Sequence, residues 1–523
     1  MKRRKRIFLY MTAILMLFYT GLVTLLYFSE YTSNSATIHT FGDAFWYSLV
    51  TLTTVGYGDL TPVTPMGHVI GVVFLFMSAG MMVTLFGAAV SFVTSEGLPF
   101  LMLRFQRKKN WYYFADYGAE ANTLAANIYK EDTDAVIIYG EKGDEQMEFP
   151  DYPCLFISAS PARIVACKKN IGSRCKVFLM KENDIGENSR AIDLHKLPVD
   201  VYARTTNGDD HLSGNINFFH SYDCCARQYW RSRALCSYEN TIVLIGFGNY
   251  GRFILERAIM TNIISVDQHV AYHIFGDAEE FLAMHDHLHE MFSIGEESQT
   301  TDSLIFHDGL WENCHGLLER ADRIIICPDD EPEGWNIFWR LHRYYKIHGQ
   351  VHLHSNRKAP GVAYFGTNEE IYTPNQIMRT ALNKAAIMIN EIFCRSVSYP
   401  TLSWDELDDF HRESKITAAD HLLMKIRILL EDEKITDFTA DVAEKAYQKY
   451  CETKSDRSVQ DRYRRLDHLR WLRFYTYYNW SYGPFRNDAE RQHPMLCPYD
   501  ELNEEQKRER DAAWEILGSF VQT

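Results

Sequence analysis

Two long apolar runs, residues 7–28 and 69–93, stand near the start of the chain, and nothing of comparable length follows them. Each is about 20 residues or longer, enough to cross a hydrocarbon layer as a helix. The segment between them changes character twice. It is polar over residues 29–40, aromatic and apolar over 41–52, and then reads Thr53-Thr54-Val55-Gly56-Tyr57-Gly58-Asp59. The short apolar piece cannot span a bilayer, so the pattern predicts a re-entrant half-helix that delivers an irregular segment to membrane depth. Irregular backbone is tolerated there only where it lines a water-filled path.

Charge gives these elements a direction. Lys2, Arg3, Arg4, Lys5 and Arg6 precede the first run, and Arg104, Arg107, Lys108 and Lys109 follow the second. Residues 29–67 contain no Lys or Arg. The positive-inside rule places both flanks in the cytosol and the loop outside. No small-residue cleavage site follows the first run, so it reads as a span and not as a signal peptide.

Beyond residue 104 the period changes. Short apolar strand patterns alternate with amphipathic helical ones, which predicts parallel α/β units. The clearer unit has strands at 241–245, 270–275, 304–307, 323–327, 351–354 and 362–365. Its first strand runs into Gly246-Phe247-Gly248-Asn249-Tyr250-Gly251 and a helix over 252–261, and its second ends in Gly276-Asp277. Strand, glycine turn, helix, strand and acid is the context a dinucleotide fingerprint requires. Phosphate is expected at Gly246, Gly248, Asn249, Tyr250 and Gly251, and Asp277 should accept hydrogen bonds from ribose hydroxyls. Asp329 or Asp330, after the fourth strand, should face the same crevice. The other unit has strands at 111–115, 135–139, 154–158, 176–180 and 199–203. Where a glycine motif should stand it reads Asp116-Tyr117-Gly118-Ala119-Glu120-Ala121. Two acids at the phosphate position make this a structural partner or a differently liganded copy. A divalent cation is another occupant such acids could hold.

Two helical stretches, 418–430 and 441–450, lead to Asp467-His468-Leu469-Arg470-Trp471 and Asn479-Trp480-Ser481-Tyr482-Gly483-Pro484. His493-Pro494 and Pro498-Tyr499-Asp500-Glu501-Leu502 follow. Trp471, Trp480, Tyr482 and Tyr499 could form an aromatic pocket able to stack a base, with Arg470 and Arg486 meeting phosphate or carboxylate. They could equally be the aromatic core of a small helical domain. His285 and His289 fall one turn apart on an expected helix. Zinc would suit that spacing, but no second pair matches it, and a solvated face is the reading taken; no metal site is expected.

Composition narrows the classes. A length of 523 residues implies about three or four domains. The formal charge of -15 argues against a nucleic-acid binder. All eleven cysteines lie at Cys154 or later, without a CxxC pair, as expected of free thiols in a reducing cytosol.

The loop motif matches the potassium-channel signature residue for residue, and its order of span, pore helix, filter and span resembles the two-transmembrane potassium channels. That resemblance implies four copies of Thr53 to Asp59 around an axis, with main-chain carbonyls and the Thr54 hydroxyl replacing the hydration shell of K+. It also implies a gating hinge at Gly80. Close packing by small residues explains that glycine too, and both readings stay open. No Arg-rich span is present, so voltage sensing of the usual kind is not expected. A pore followed by two such α/β units resembles channels with tandem RCK domains, whose ring would pull on the pore through residues 97–109. Residues 467–520 resemble the ryanodine-receptor repeat domain (RyR), departing from its pattern only at Asn479, where the family has glycine.

The expected organisation is therefore a membrane α-helical pore domain over residues 1–104, a first Rossmann-like RCK domain over 105–238, a second over 239–400, and a helical linker with a small, mainly α RyR-like domain over 401–523. The implied function is K+ permeation without catalysis, by a homotetramer in the inner membrane with cytosolic termini, gated by a small, nucleotide-like ligand. The alternatives are an RyR-like protein-binding module with gating by ions, and an effector opened by a nucleotide signal in bacterial defence.

Overall fold

The computed structural model describes residues 2–94, 97–106, 108–140, 150–166, 175–181, 199–205, 216–397, 400–436 and 438–520. They form two compact units, Met1–Phe105 and Gln106–Thr523.

The first unit is helical: α1 (Lys2–Glu30), α2 (Phe41–Leu52), α3 (Pro65–Thr94) and α4 (Gly97–Phe105). Pro65–Gly87 of α3 is apolar and long enough to cross a bilayer, and Ile14–Glu30 of α1 is a shorter apolar stretch of the longer helix. The side chains of the basic cluster Lys2 to Arg6, and those of Arg104 and Arg107, lie outside the described residues. The expected linker begins as α4. A capping box sets the start of α2, with Thr40 accepting from Asp43 N and the Asp43 carboxylate accepting from Thr40 N. Val23, Leu26, Ile38, Ala44, Ile70 and Phe74 form a small core between the helices. Glu30 closes one end of it. Its buried carboxylate accepts from Val63 N at 3.0 Å, Thr64 N at 3.0 Å and Thr64 Oγ1 at 2.6 Å, tying the end of α1 to the start of α3. Gly67 is required beside it, because a Cβ there would strike the Glu30 carboxylate.

The second unit contains two parallel sheets. The first joins β1 (Trp111–Phe114), β2 (Val136–Tyr139), β3 (Cys154–Phe156), β4 (Cys175–Leu179), β5 (Asp200–Arg204) and β6 (Ile216–Phe219) in the order β3-β2-β1-β4-β5-β6. The second joins β7 (Thr241–Ile245), β8 (Ala271–Phe275), β9 (Ser293–Ile294), β10 (Ser303–His307), β11 (Arg323–Ile326), β12 (Gln350–His354) and β13 (Ala363–Phe365) in the order β13-β12-β11-β7-β8-β10-β9. Apart from the short edge strand β9, the two orders are the same doubly wound arrangement, reversing direction next to the first strand. β6 and β9 are additional to the strands expected from the pattern.

Aromatic side chains line one face of the first sheet. Phe114, Phe178 and Tyr202 stack in sequence at 4.8 and 5.2 Å, and Tyr139 and Phe156 extend the row on the other side. Such cross-strand pairs hold a parallel sheet in register.

The helices that matter below are α5 (Ala119–Glu131), α6 (Ser221–Ser232), α7 (Asn249–Thr261), α8 (Glu331–Tyr344), α9 (Thr380–Ser396), α10 (Asp409–Asp420), α11 (Leu422–Leu430), α12 (Ala440–Thr453) and α13 (Arg457–Tyr477). α13 is pinned by buried charge: Lys425 Nζ donates to Asp467 Oδ1 at 3.0 Å and to Ala513 O at 2.9 Å. His285 and His289 do not share a helix face. A short helix ends at Met284, a tight turn of 3₁₀ helix covers Asp286–Glu290, and each ring is turned to a backbone carbonyl, Tyr477 O for His285 and Asp286 O for His289. Among the described residues no group of His, Cys, Asp and Glu is arranged to hold a metal.

Candidate functional site

The segment after α2 has a regular backbone of its own. Thr54, Gly56 and Gly58 have φ of +59°, +60° and +72°, while Val55 and Tyr57 stay in the ordinary negative range. Alternating left- and right-handed residues rotates each peptide plane against the last, so successive carbonyls can face the same side. Glycine adopts the left-handed state freely, but a β-branched Thr does so at a cost of about 1–3 kcal/mol. The end of α2 supports it: Val55 N and Gly56 N both donate to Val50 O, and Thr54 N donates to Thr51 O. On the other side Trp46 Nε1 donates to Asp59 Oδ2 at 3.0 Å, and its ring lies parallel to that of Tyr57 at 6.2 Å. Thr53 is tied back to α2 through its hydroxyl, which donates to Leu49 O at 2.8 Å. Residues 53–59 are exposed on the single chain. In α3, a Cβ at Gly71 would meet Tyr47 Oη at 2.8 Å, whereas one at Gly80 or Gly87 would meet nothing within 4 Å in the same chain. Intrachain packing therefore accounts for Gly67 and Gly71 but not for Gly80 or Gly87.

The glycine turn of the second sheet is built as the motif demands. Gly246 has φ +101° and a Cβ would enter the Pro328 backbone, and one on Gly251 would strike Gly246 O. What lies over the turn differs from the expectation. Asp329 does not face the crevice. It accepts from Asn249 N at 3.1 Å, from Tyr250 N at 3.3 Å and from Asn249 Nδ2 at 3.3 Å, so a carboxylate of the chain occupies the start of α7 where phosphate was expected. A helix N-terminus attracts any anion, and this one is supplied by the loop that follows β11. Tyr250 points elsewhere, its ring against His354 and Tyr222.

The crevice itself, about 890 Å³, opens beside the turn and is lined by Gly246, Gly276 and Asp277. Gly248, Asn249, Tyr250 and Gly251 are not on it. Besides Asp277 it presents Glu279, Asp308, Glu312 and Glu333, against Arg340, which is paired to Glu312 at 2.6 Å. In the first sheet, Asp116 is buried and paired with Lys181 at 3.1 Å, and Glu120 lies 3.8 Å from Arg204. The two acids of the altered motif thus have cationic partners within the unit.

Three of the six candidates of the C-terminal region, Trp471, Trp480 and Tyr499, belong to one buried cluster. Trp480 is buried with its face stacked on Phe410 of α10 at 5.2 Å, and Tyr499 is buried with its hydroxyl donating to Asp461 at 2.8 Å. Arg486 pairs with Asp488 and reaches His411 Nε2 at 2.8 Å. Tyr482 is exposed. Trp471 and Trp480 both pack against Tyr475, at 4.3 and 5.1 Å, with Arg470 Nε 3.3 Å from Asp467 and the Arg510 guanidinium 4.8 Å over Trp471. That environment is cationic. Burial, then Arg510 and Arg470, push Lys415 down to about 8, and burial, then Arg510, pushes His468 down to about 4. Phe410, Lys415 and Arg510 lie outside the motifs that mark this domain, and no local spacing points to them.

Two stretches of the chain match known protein families. Residues 11–95 match the family model described as ion channel, and residues 451–523 match the RyR domain model. A voltage-gated potassium channel of Aeropyrum pernix is 40% identical over 62 residues, 12% of this chain and 21% of that protein. A probable potassium channel protein 2 of Methanocaldococcus jannaschii is 28% identical over 121 residues, 22% of this chain and 35% of that protein. The chain thus spans a fifth to a third of the length of these curated relatives. Solved structures of the GsuK channel, one bound to ADP, align over 70% of this chain and 96% of theirs at 13% identity, with TM-scores of 0.37 and 0.34. The chain therefore joins an ion-channel domain, a doubly wound α/β region and a RyR domain.

Proposed function

We propose that this chain is one subunit of a potassium-selective channel, that four copies build the pore, and that a small ligand in the cytosolic unit sets how often it opens. The observation that carries the reading is the left-handed φ at Thr54, Gly56 and Gly58, held between α2 and the Trp46–Asp59 bracket. Carbonyls that face one way, repeated by four subunits, replace the hydration shell of K+. The distribution of Lys and Arg supports a plasma-membrane topology with both flanks cytosolic. Gly80, unneeded for packing within the chain, is assigned as the hinge of α3. The large crevice beside Asp277 supports a nucleotide-like ligand held mainly through its sugar and base, because its acidic lining and the Asp329 cap disfavour phosphate.

The test is ion flux into liposomes carrying the purified full chain. Potassium and rubidium should pass and sodium should not. Gly56→Ala, which forces a side chain into the left-handed region, should abolish flux while leaving the particle assembled. Equal sodium flux, or a particle without fourfold symmetry about its membrane axis, refutes the reading.

A further inference from the structure

A cavity of about 210 Å³ lies inside the cytosolic unit, where helices of both α/β units meet the C-terminal helices. Its polar wall is made of arginines: Arg227 and Arg231 of α6, Arg257 of α7, Arg379 at the start of α9, and Arg427 of α11. Asp420 is the acidic residue that lines it. Apolar residues also line it, among them Leu382, Leu423, Phe438 and Phe520, the last two with rings edge to face at 4.7 Å.

The acids that hold these arginines lie mostly behind the wall. Asp223 takes Arg227 at 2.9 Å, Arg257 at 2.6 Å and Arg379 at 3.0 Å. Glu413 takes Arg227 at 3.0 Å and Arg257 at 3.1 Å, and Asp420 takes Arg227. Glu256 stands 3.9 Å from Arg257, and burial raises its pKa and that of Asp420 above the usual carboxylate range. Arg227, Arg257 and Arg379 are thus held by these four carboxylates, two of which resist ionisation, while Arg427 donates to backbone carbonyls, Ile435 O at 2.6 Å and Arg231 O at 3.3 Å. Two donors are left over among the described residues, Arg257 Nη1 and Arg379 Nε. Arg257 is 5% exposed, and its Nη1 makes no hydrogen bond within the described residues; the Asp420 carboxylate lies 3.9 Å away. A buried guanidinium N–H without an acceptor, on the wall of a cavity, calls for an anion there.

We propose that this cavity binds a small phosphate ester of nucleoside-monophosphate size or less. The phosphate would lie among Arg231, Arg257 and Arg379, and the uncharged part against Leu382, Leu423 and the Phe438–Phe520 pair. The planar forks of several arginines suit a phosphate's oxygens, and the apolar lining requires more than a bare ion. The volume is too small for a dinucleotide. This site is separate from the crevice beside Asp277. Because its walls come from α6, α7, α11 and the C-terminal end, an occupant would tie the RyR region to both α/β units. That consequence rests on the gating reading above, whereas the binding does not.

The test is calorimetry on the purified full chain in detergent, with AMP, adenosine and inorganic phosphate as probes. AMP should bind saturably, once per chain, and at least about tenfold more tightly than either adenosine or phosphate. Arg379→Gln should weaken AMP by about tenfold, with Arg379→Lys recovering part of the loss. Ala381→Trp, which fills the cavity without removing charge, should abolish binding. Thermal unfolding without ligand checks that each variant folds. Absence of saturable binding by both AMP and phosphate up to about 10 mM overturns the proposal, as does AMP affinity unchanged in both Arg379→Gln and Ala381→Trp. AMP binding with unaltered potassium flux supports the site and counts only against its place in gating.

Discussion

Asp329 and Gly248 face each other across the glycine turn, and their coupling can be worked out before it is measured. Asp329→Ala removes the acceptor of two backbone N–H groups at the start of α7. Loss of a side-chain acceptor at that position costs about 0.5–2 kcal/mol, and loss of a negative charge there about 0.3–1 kcal/mol more. The expected destabilisation is thus about 1–3 kcal/mol. Gly248→Ala attacks the same contact from the other side. With φ -85° the backbone tolerates alanine, but its Cβ would lie 2.5–2.8 Å from the Asp329 carboxylate atoms. In the native background the methyl group should displace the cap and cost about as much as Asp329→Ala. In the Asp329→Ala background it should cost almost nothing. The cycle should therefore show a coupling of about 1–3 kcal/mol. Any phosphate arriving at these N–H groups must displace the same carboxylate, so Asp329→Ala should bind it about tenfold more tightly while folding less stably, a factor of ten being 1.4 kcal/mol. Denaturant unfolding and hydrogen exchange at Asn249 and Tyr250 are the assays. Additive losses, or Asp329→Ala without cost, would refute the capping argument.

Other outcomes follow from the same coordinates. Lys425→Met should destabilise the second unit by about 3–5 kcal/mol, because it leaves the buried Asp467 short of its nearest cation; a thermal melt within 1 °C of the parent, well under the shift such a loss implies, excludes this. Burial, followed by Lys425, Arg323 and Arg510 respectively, pushes His421 to about 3, His352 to about 3 and His468 to about 4, against an ordinary value of 6.5. The unfolded chain then binds more protons below pH 6.5, so stability falls on acidification, by about 2 kcal/mol per histidine at pH 5; an unfolding midpoint unchanged between pH 7 and pH 5 contradicts it. Gly80→Ala should assemble normally yet open less readily, since it gains about 1 kcal/mol of helix stability and meets no neighbour within the described residues of its own chain, and single-channel recording reads the change. Trp46→Phe removes the donor to Asp59 and should shorten conducting periods; recordings matching the parent would show the bracket to be idle.

Much of this molecule is legible wherever backbone conformation dictates residue type. Thr54-Val55-Gly56-Tyr57-Gly58 and Gly246-Phe247-Gly248-Asn249-Tyr250-Gly251 carry glycines where the chain turns left-handed or approaches itself closely, and both segments fold as their spacing requires. The parallel strands are equally plain, because a strand buried on both faces must be a short apolar run. β6 was hidden because Ile216–Phe219 is too short and too mixed to stand out. What fills the space beside a motif is another matter. Asp329 reaches a helix that starts 80 residues earlier, Phe410 covers Trp480 from another helix, and five arginines gather from four separate helical segments around one cavity. Local conformation depends on neighbours in the chain and is written in their order. Which acid caps a helix, and which ring covers another, depends on groups brought together only when distant segments pack, and that only the tertiary structure decided.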